Sequence, residues 1–557
     1  MNNKKVILTL VKYGISFLLL AYSIISTGAQ MFAFAGFFEL AAIILITNII
    51  AGRSEVAATI AGSILLLVFN LEMLILSFSG GEYLKLIMLT NVDSFEALSG
   101  DFGRYAIGAV ILAAAALLPV THIDFGKMLH LSADRSGSAF DYKALSCTLL
   151  CYLLVVMLVG NSYSPLYSLK YLYDEYRSQK ALEVDISGMP DMTKEFLREG
   201  IESYTDLKPL DMDQPNVVVI FTEGLSQNII DDERDVMPNA RQLEEKSINF
   251  VNYYNHTAPT YRGLISQLYS GYQKENLDTN TLISVQSILG DKGYKTAFIN
   301  TEPKNRHFTN YLKSLGFDDI VSTEKLDGSR LDSSSATDSS EKTVSDKQAF
   351  ELLYSQMEEM SKEDEPFFIG IYTFGTHNSL DSPDEKYGDG NDRVLNKFYN
   401  LDCQLGSFLE AFDKSSLADN TVIIFTTDHC AYNSEDFRRA FPDHARAASF
   451  LDTIPLAIYY KGAEHEDIDA GGKNSLDFAP TVMDLLGISE KNYFLGESLF
   501  NEQIVWDSIE NIYYDGGQTL TSAGNGISEP DLQRQTTFDK ILADYLIAKQ
   551  QIPPDDQ

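Results

Sequence analysis

The chain has 557 residues, is 45% hydrophobic and 22% charged, and carries a formal net charge of −35. That length implies more than one domain, and the acidic excess excludes a nucleic-acid partner, whose phosphates it would repel. The charge is unevenly placed: residues 1–165 hold 9 Lys/Arg and 10 Asp/Glu, the remainder 34 and 68, so a nearly neutral apolar front is joined to an acidic body.

Five apolar segments fill the front, at 6–27, 31–51, 56–78, 105–121 and 144–163. Most have the roughly 20 residues that a bilayer core requires, with the fourth at the short end. Lys12 lies close enough to the start of the first segment to snorkel to the interface. A signal peptide is disfavoured, because four more apolar segments follow the first. Lys4, Lys5, Arg53, Lys127, Arg135 and Lys143 fall on one side of the membrane, and only Lys85 and Arg104 on the other. The basic bias therefore puts the N-terminus in the cytoplasm, and five crossings put everything after Ser164 outside.

Residues 1–163 thus read as a five-span membrane domain and 164–214 as a connector, punctuated by Pro190 and Pro209, with one amphipathic helix over 191–206. Residues 215–523 read as an outside domain, and 524–557 as a polar tail. In the outside domain, strand-like runs at 217–221, 297–300, 367–372, 422–425 and 454–460 alternate with helical patterns such as 347–360 and 397–412. This alternation predicts an α/β fold with a mostly parallel sheet between helices. Residues 322–345, rich in Ser, Asp, Thr and Gly, read as a surface loop. Cys147 and Cys151 lie in the fifth apolar segment; Cys403 and Cys430, in the outside domain, are positioned in sequence to form at most one disulfide.

Ligands in open α/β sheets bind beyond the carboxyl ends of the strands. The 217–221 run ends in Thr222-Glu223-Gly224, and 422–425 ends in Thr426-Thr427-Asp428-His429. Two carboxylates and an imidazole offer a divalent-metal ligand set. Pro259-Thr260 opens a helical pattern, whose free amides favour a phosphate or sulfate. A Thr hydroxyl is a weak nucleophile until a metal stabilises its alkoxide. Taken singly, Thr260 is a helix cap, and Asp428-His429 is a cap beside a surface histidine.

Together, residues 216–223, Thr260 with Tyr269-Ser270-Gly271-Tyr272, Thr376-His377, 401–406, 420–429 and 476–487 resemble the sulfatase-type branch of the alkaline phosphatase superfamily. With apolar helices ahead of them, they look most like lipoteichoic acid synthases and related membrane phosphoglycerol or phosphoethanolamine transferases. The resemblance implies that Thr260 attacks the phosphorus of a phospholipid donor and passes the headgroup, through a phospho-threonine intermediate, to a surface glycolipid or glycopolymer acceptor. It implies one divalent ion on Glu223, Thr260, Asp428 and His429, manganese first and zinc second, with His377 and Arg306 as substrate-binding residues. Three departures stand out. Lys304-Asn305 precedes Arg306 where the synthases carry a Trp just ahead of the arginine, Cys430 follows His429 where a Gly is commoner, and Thr260 occupies the nucleophile position where arylsulfatases use Cys or Ser. The alternatives are a phosphoethanolamine transferase, a sulfatase-like hydrolase and an inactive scaffold.

Overall fold

The computed structural model describes residues 3–27, 31–79, 83–85, 88, 102–128, 137–181, 189–204, 210, 212–273, 282–302, 306–322, 344–378, 380–444, 446, 448–501, 509–522 and 526–552. The loop expected at 322–345 lies almost wholly outside them. The chain divides into two compact units, one comprising 1–89, 101–177 and 433–439, the other 90–100, 178–432 and 440–557.

The first unit is built on apolar helices at Asn3–Thr27, Met31–Ala51, Glu55–Ser79, Phe102–Leu117 and Gly137–Val159. Among the described residues, four are long and apolar enough to cross a membrane. The Phe102–Leu117 helix has 16 residues, or about 24 Å at 1.5 Å per residue, against a hydrocarbon core of about 30 Å. It ends two residues before Pro119, which shortens the expected fourth span. Lys12 does not snorkel. It is 1% exposed, and its Nζ donates to the Leu118 carbonyl at 2.7 Å and to Ser63 Oγ at 3.1 Å. A carbonyl left over at the end of a neighbouring helix satisfies the ammonium within the bundle.

The second unit is an eight-stranded sheet flanked by helices. Its strands are β1 (Asn216–Thr222), β2 (Ile248–Val251), β3 (Lys295–Asn300), β4 (Asp319–Ser322), β5 (Phe367–Tyr372), β6 (Thr421–Thr427), β7 (Ala457–Tyr459) and β8 (Glu466–Asp469), in the order β4-β3-β5-β1-β6-β7-β2-β8. A separate hairpin pairs β9 (Ile512–Tyr514) with β10 (Thr519–Thr521). From β4 to β6 every pairing is parallel; β7 runs antiparallel to β6 and β2. β1, β5 and β6 are buried along nearly their whole length, which is why they read as unbroken apolar runs.

Two regions differ from their sequence reading. Among the described residues of the expected 191–206 helix, only Thr193–Phe196 is helical; beyond it Arg198 bridges Asn492. The stretch read as a polar tail contains the helix Leu532–Gln551, which buries Phe538, Leu542, Tyr545 and Leu546 in the core of this unit. Asp531 caps it, accepting from the Arg534 amide at 2.9 Å. The four cysteines are free thiols, so Cys403 and Cys430 form no disulfide.

Candidate active site

β1 and β6 are neighbours in parallel register, with Thr222 opposite Thr427. The next residue on each strand, Glu223 and Asp428, therefore meets its counterpart at the carboxyl edge of the sheet. Thr427 Oγ1 ties the two strand ends by donating to the Thr222 carbonyl at 2.7 Å. Asp428 Oδ1 accepts the backbone amides of Gly224 at 2.8 Å and His429 at 2.7 Å.

Thr260 begins the helix Thr260–Leu268. Gln267 on that helix donates to the Thr427 carbonyl at 3.0 Å, seating the helix on the end of β6. Gly263 permits the approach, because a Cβ there would lie 2.2 Å from the Asp428 carbonyl oxygen. Thr260 Oγ1 is consequently 3.0 Å from Glu223 Oε2 and 3.4 Å from His429 Nε2. His429 Nδ1 lies 2.7 Å from the Cys430 carbonyl. A carbonyl only accepts, so Nδ1 carries the proton and Nε2 presents its lone pair to the cluster.

The electrostatics follow from burial and crowding. Burial, opposed by His429 and reinforced by Glu223, pushes the Asp428 carboxyl up to about 7. Burial acts in the same sense on Glu223, but His429, His377 and hydrogen bonds from Tyr372 and Thr260 outweigh it and hold that carboxyl below its ordinary range. For His429, burial is outweighed by Asp428 and Glu223, so its pKa rises. Glu223 is thus the standing anion, and Asp428 is the carboxyl that takes up a proton when no other cation is near.

Glu223, Asp428 and His429 offer ligand atoms that all lie within 4.8 Å of one another. Asp428 Oδ2 is buried and has no hydrogen-bond partner among the described residues. An orphaned carboxylate oxygen aimed into such a cluster fits a divalent cation.

His377 lies in the loop after β5, its ring stacked on Phe374 with centroids 4.8 Å apart. Its backbone carbonyl accepts from Lys397 Nζ at 3.3 Å, and the adjacent Thr376 Oγ1 donates to the Glu223 carbonyl at 2.5 Å. Burial lowers the His377 pKa, with Lys397 and His429 adding to the effect and Glu223 opposing it. Arg306 opens the helix Arg306–Lys313; its side chain lies outside the described part of the structure. The structure therefore brings Glu223, Thr260, Asp428 and His429 together and places His377 within electrostatic reach of Glu223. Sequence reasoning missed Tyr372, whose hydroxyl donates to Glu223 Oε2, and Tyr432, whose ring lies 5.1 Å from that of His429. The one available signal was a phenol closing an otherwise apolar strand, Phe367–Tyr372.

Residues 215–488 match the family described as Sulfatase. Lipoteichoic acid synthase 2 of Bacillus subtilis is 24% identical over 314 residues, covering 51% of this chain and 46% of its own length. Phosphoglycerol transferase I of Citrobacter koseri is 23% identical over 363 residues, covering 60% and 44%. The chain thus spans less than half the length of these relatives. Among solved structures, the lipoteichoic acid synthase LtaP from Listeria monocytogenes superposes with a TM-score of 0.50 at 17% identity, covering 65% of this chain and 97% of its own. A protein of the alkaline phosphatase superfamily from Vibrio parahaemolyticus gives 0.50 at 19%, covering 67% and 95%. At these identities the structural likeness concerns the fold. The domain at 215–488, whose sheet edge carries Glu223 and Asp428, is thus a sulfatase-family domain.

Proposed function

We propose that this protein is a membrane-anchored transferase that moves a phosphoglycerol headgroup from a phospholipid to a cell-surface acceptor of the lipoteichoic acid type. The N-terminus is cytoplasmic and the sulfatase-type domain extracellular, as the basic residues of the front segments indicate. The carrying observation is Thr260 Oγ1 at 3.0 Å from Glu223 and 3.4 Å from His429, inside a buried cluster at the carboxyl edge of the sheet.

A divalent ion held by Glu223, Thr260, Asp428 and His429 would supply Lewis-acid stabilisation of the Thr260 alkoxide. In the first step Thr260 Oγ attacks the donor phosphorus. An Oγ–P bond forms, the bond from phosphorus to the diacylglycerol oxygen breaks, and that oxygen leaves with a proton. The Thr260 proton departs along its hydrogen bond to Glu223 Oε2. In the second step an acceptor hydroxyl oxygen attacks the phospho-threonine phosphorus, a bond from that oxygen to phosphorus forms, the P–Oγ bond breaks, and Thr260 Oγ regains its proton from Glu223. His377 serves the proton transfers at the leaving and entering oxygens, and Arg306 contacts a phosphodiester oxygen. Similarity to a Bacillus lipoteichoic acid synthase and a Citrobacter phosphoglycerol transferase supports this reading over plain hydrolysis.

The test is the intact mass of the full chain in detergent after incubation with manganese and phosphatidylglycerol or phosphatidylethanolamine. A phosphoglycerol adduct absent from Thr260→Ala is expected. A phosphoethanolamine adduct would keep the mechanism and change the donor. Metal-bound protein that neither gains an adduct nor releases diacylglycerol would overturn the reading.

A further inference from the structure

The helix Pro165–Ala181 follows the last apolar span, Gly137–Val159, and its exposed face is chemically graded. Leu166, Leu169, Tyr173 and Tyr176 recur at steps of three, four and three, which places them on one stripe. They are 58%, 38%, 58% and 45% exposed; Tyr171, on the opposite side, is 46% exposed and its hydroxyl donates to Asn161 Oδ1 at 2.9 Å. Exposed Lys170 and Arg177 border the stripe, with Lys170 paired to Asp174 at 2.5 Å. Along the axis the stripe runs from leucine to tyrosine to arginine.

The start of this helix is anchored within the apolar bundle. Glu39 accepts the Leu166 amide at 3.0 Å and the Ser164 hydroxyl, capping the helix with a buried carboxylate. Glu39 is the ninth residue of Met31–Ala51, so the cap sits about 12 Å along that helix from its Met31 end. The first turn of Pro165–Ala181 therefore starts against the side of an apolar helix, away from that helix's end. The preceding span also exposes Leu150, Leu153, Leu154, Met157 and Leu158.

We propose that Pro165–Ala181 is an interfacial helix whose stripe is covered by the phospholipid bilayer, with Leu166 and Leu169 among the upper acyl chains and Tyr173 and Tyr176 at headgroup level. A bilayer changes from apolar to polar over this distance, and tyrosines collect at the boundary. A second protein surface offers no reason for the gradation. Ordered docking of this helix would fix the height at which the chain leaves the membrane, independently of what the second unit catalyses.

The experiment places the full chain in phosphatidylcholine vesicles, plain or brominated at shallow or deep acyl positions. Trp emission is read from Leu169→Trp, Tyr173→Trp and Tyr171→Trp, with the signal of the native chain, which has one Trp, subtracted. Quenching of about twofold or more is expected at 169 and 173, deeper bromines acting better at 169, with little effect at 171 on the other side of the helix. Absence of quenching at both 169 and 173, or equal quenching at 171, would overturn the proposal. The two stripe positions are read separately, so a fold defect in one variant leaves the other decisive.

Discussion

Tyr372 donates its hydroxyl to Glu223 Oε2, the same oxygen that accepts Thr260 at 3.0 Å. The phenol is fully buried, and burial together with the Glu223 charge raises its pKa well above the ordinary value, so it remains a proton donor at every working pH. It fixes one oxygen of the carboxylate and leaves Oε1, 3.7 Å from His429 Nε2, facing the cluster. Tyr372→Phe keeps the edge contacts with Phe308 and Phe374 and removes only this bond. We expect manganese affinity, measured by calorimetry on metal-stripped protein, to weaken about 10–100-fold with the metal-free melting temperature nearly unchanged. Equal affinities would show that Glu223 is oriented by other groups.

Thr260→Ser keeps a hydroxyl at the helix start, whereas Thr260→Ala and Thr260→Val remove it. Diacylglycerol release from phosphatidylglycerol should fall by about a thousandfold or more in the latter two and survive in the first. Comparable residual rates in all three would assign the chemistry to a group other than Thr260.

Gly263→Ala tests whether the Thr260 helix must lie directly on Asp428. The added Cβ would sit 2.2 Å from a backbone carbonyl that has no freedom to rotate away. The helix must shift, at a cost of about 1–3 kcal/mol, and Thr260 retreats from Glu223. A lowered melting temperature with weakened metal binding is expected; a variant matching the native chain in both would mean that the helix seat is looser than described.

His256 gives a pH prediction away from the cluster. It is fully buried between Ser266 at 2.7 Å and Ser475 at 2.6 Å, and burial lowers its pKa to about 3. Unfolded chains protonate a histidine near pH 6.5, so between about 6.5 and 3 the unfolded state binds the extra proton. Stability from this residue is whole above about pH 6.5 and declines as pH falls toward 3, by at most about 1.4 kcal/mol per pH unit. His256→Gln should show a shallower loss of melting temperature between pH 7 and pH 5 than the native chain. Parallel declines would refute the assignment.

The sheet centre was legible because β1, β5 and β6 are buried on both faces and carry unbroken apolar runs. β2 and β8 were not: β2, Ile-Asn-Phe-Val between β7 and β8, is too short to show a period, and the edge strand β8, Glu-Asp-Ile-Asp, has a single apolar residue. The helix Leu532–Gln551 was overlooked on polarity, although Phe538, Leu542, Tyr545 and Leu546 follow helical spacing. Glu223, Asp428 and His429 could be nominated from strand ends alone. Tyr372 was harder, because a phenol closing an apolar strand is as readily a core tyrosine as one whose hydroxyl meets a carboxylate on the neighbouring strand.

The alignment of Thr222 with Thr427 makes the ladder between β1 and β6 a gauge for the two carboxylates. Deleting one residue within Val217–Phe221 or Val422–Phe425 would swing a carboxylate to the opposite face of the sheet while leaving a recognisable α/β domain. Two runs of a few apolar residues, neither holding a reactive group, therefore set the tolerance to which the site is built.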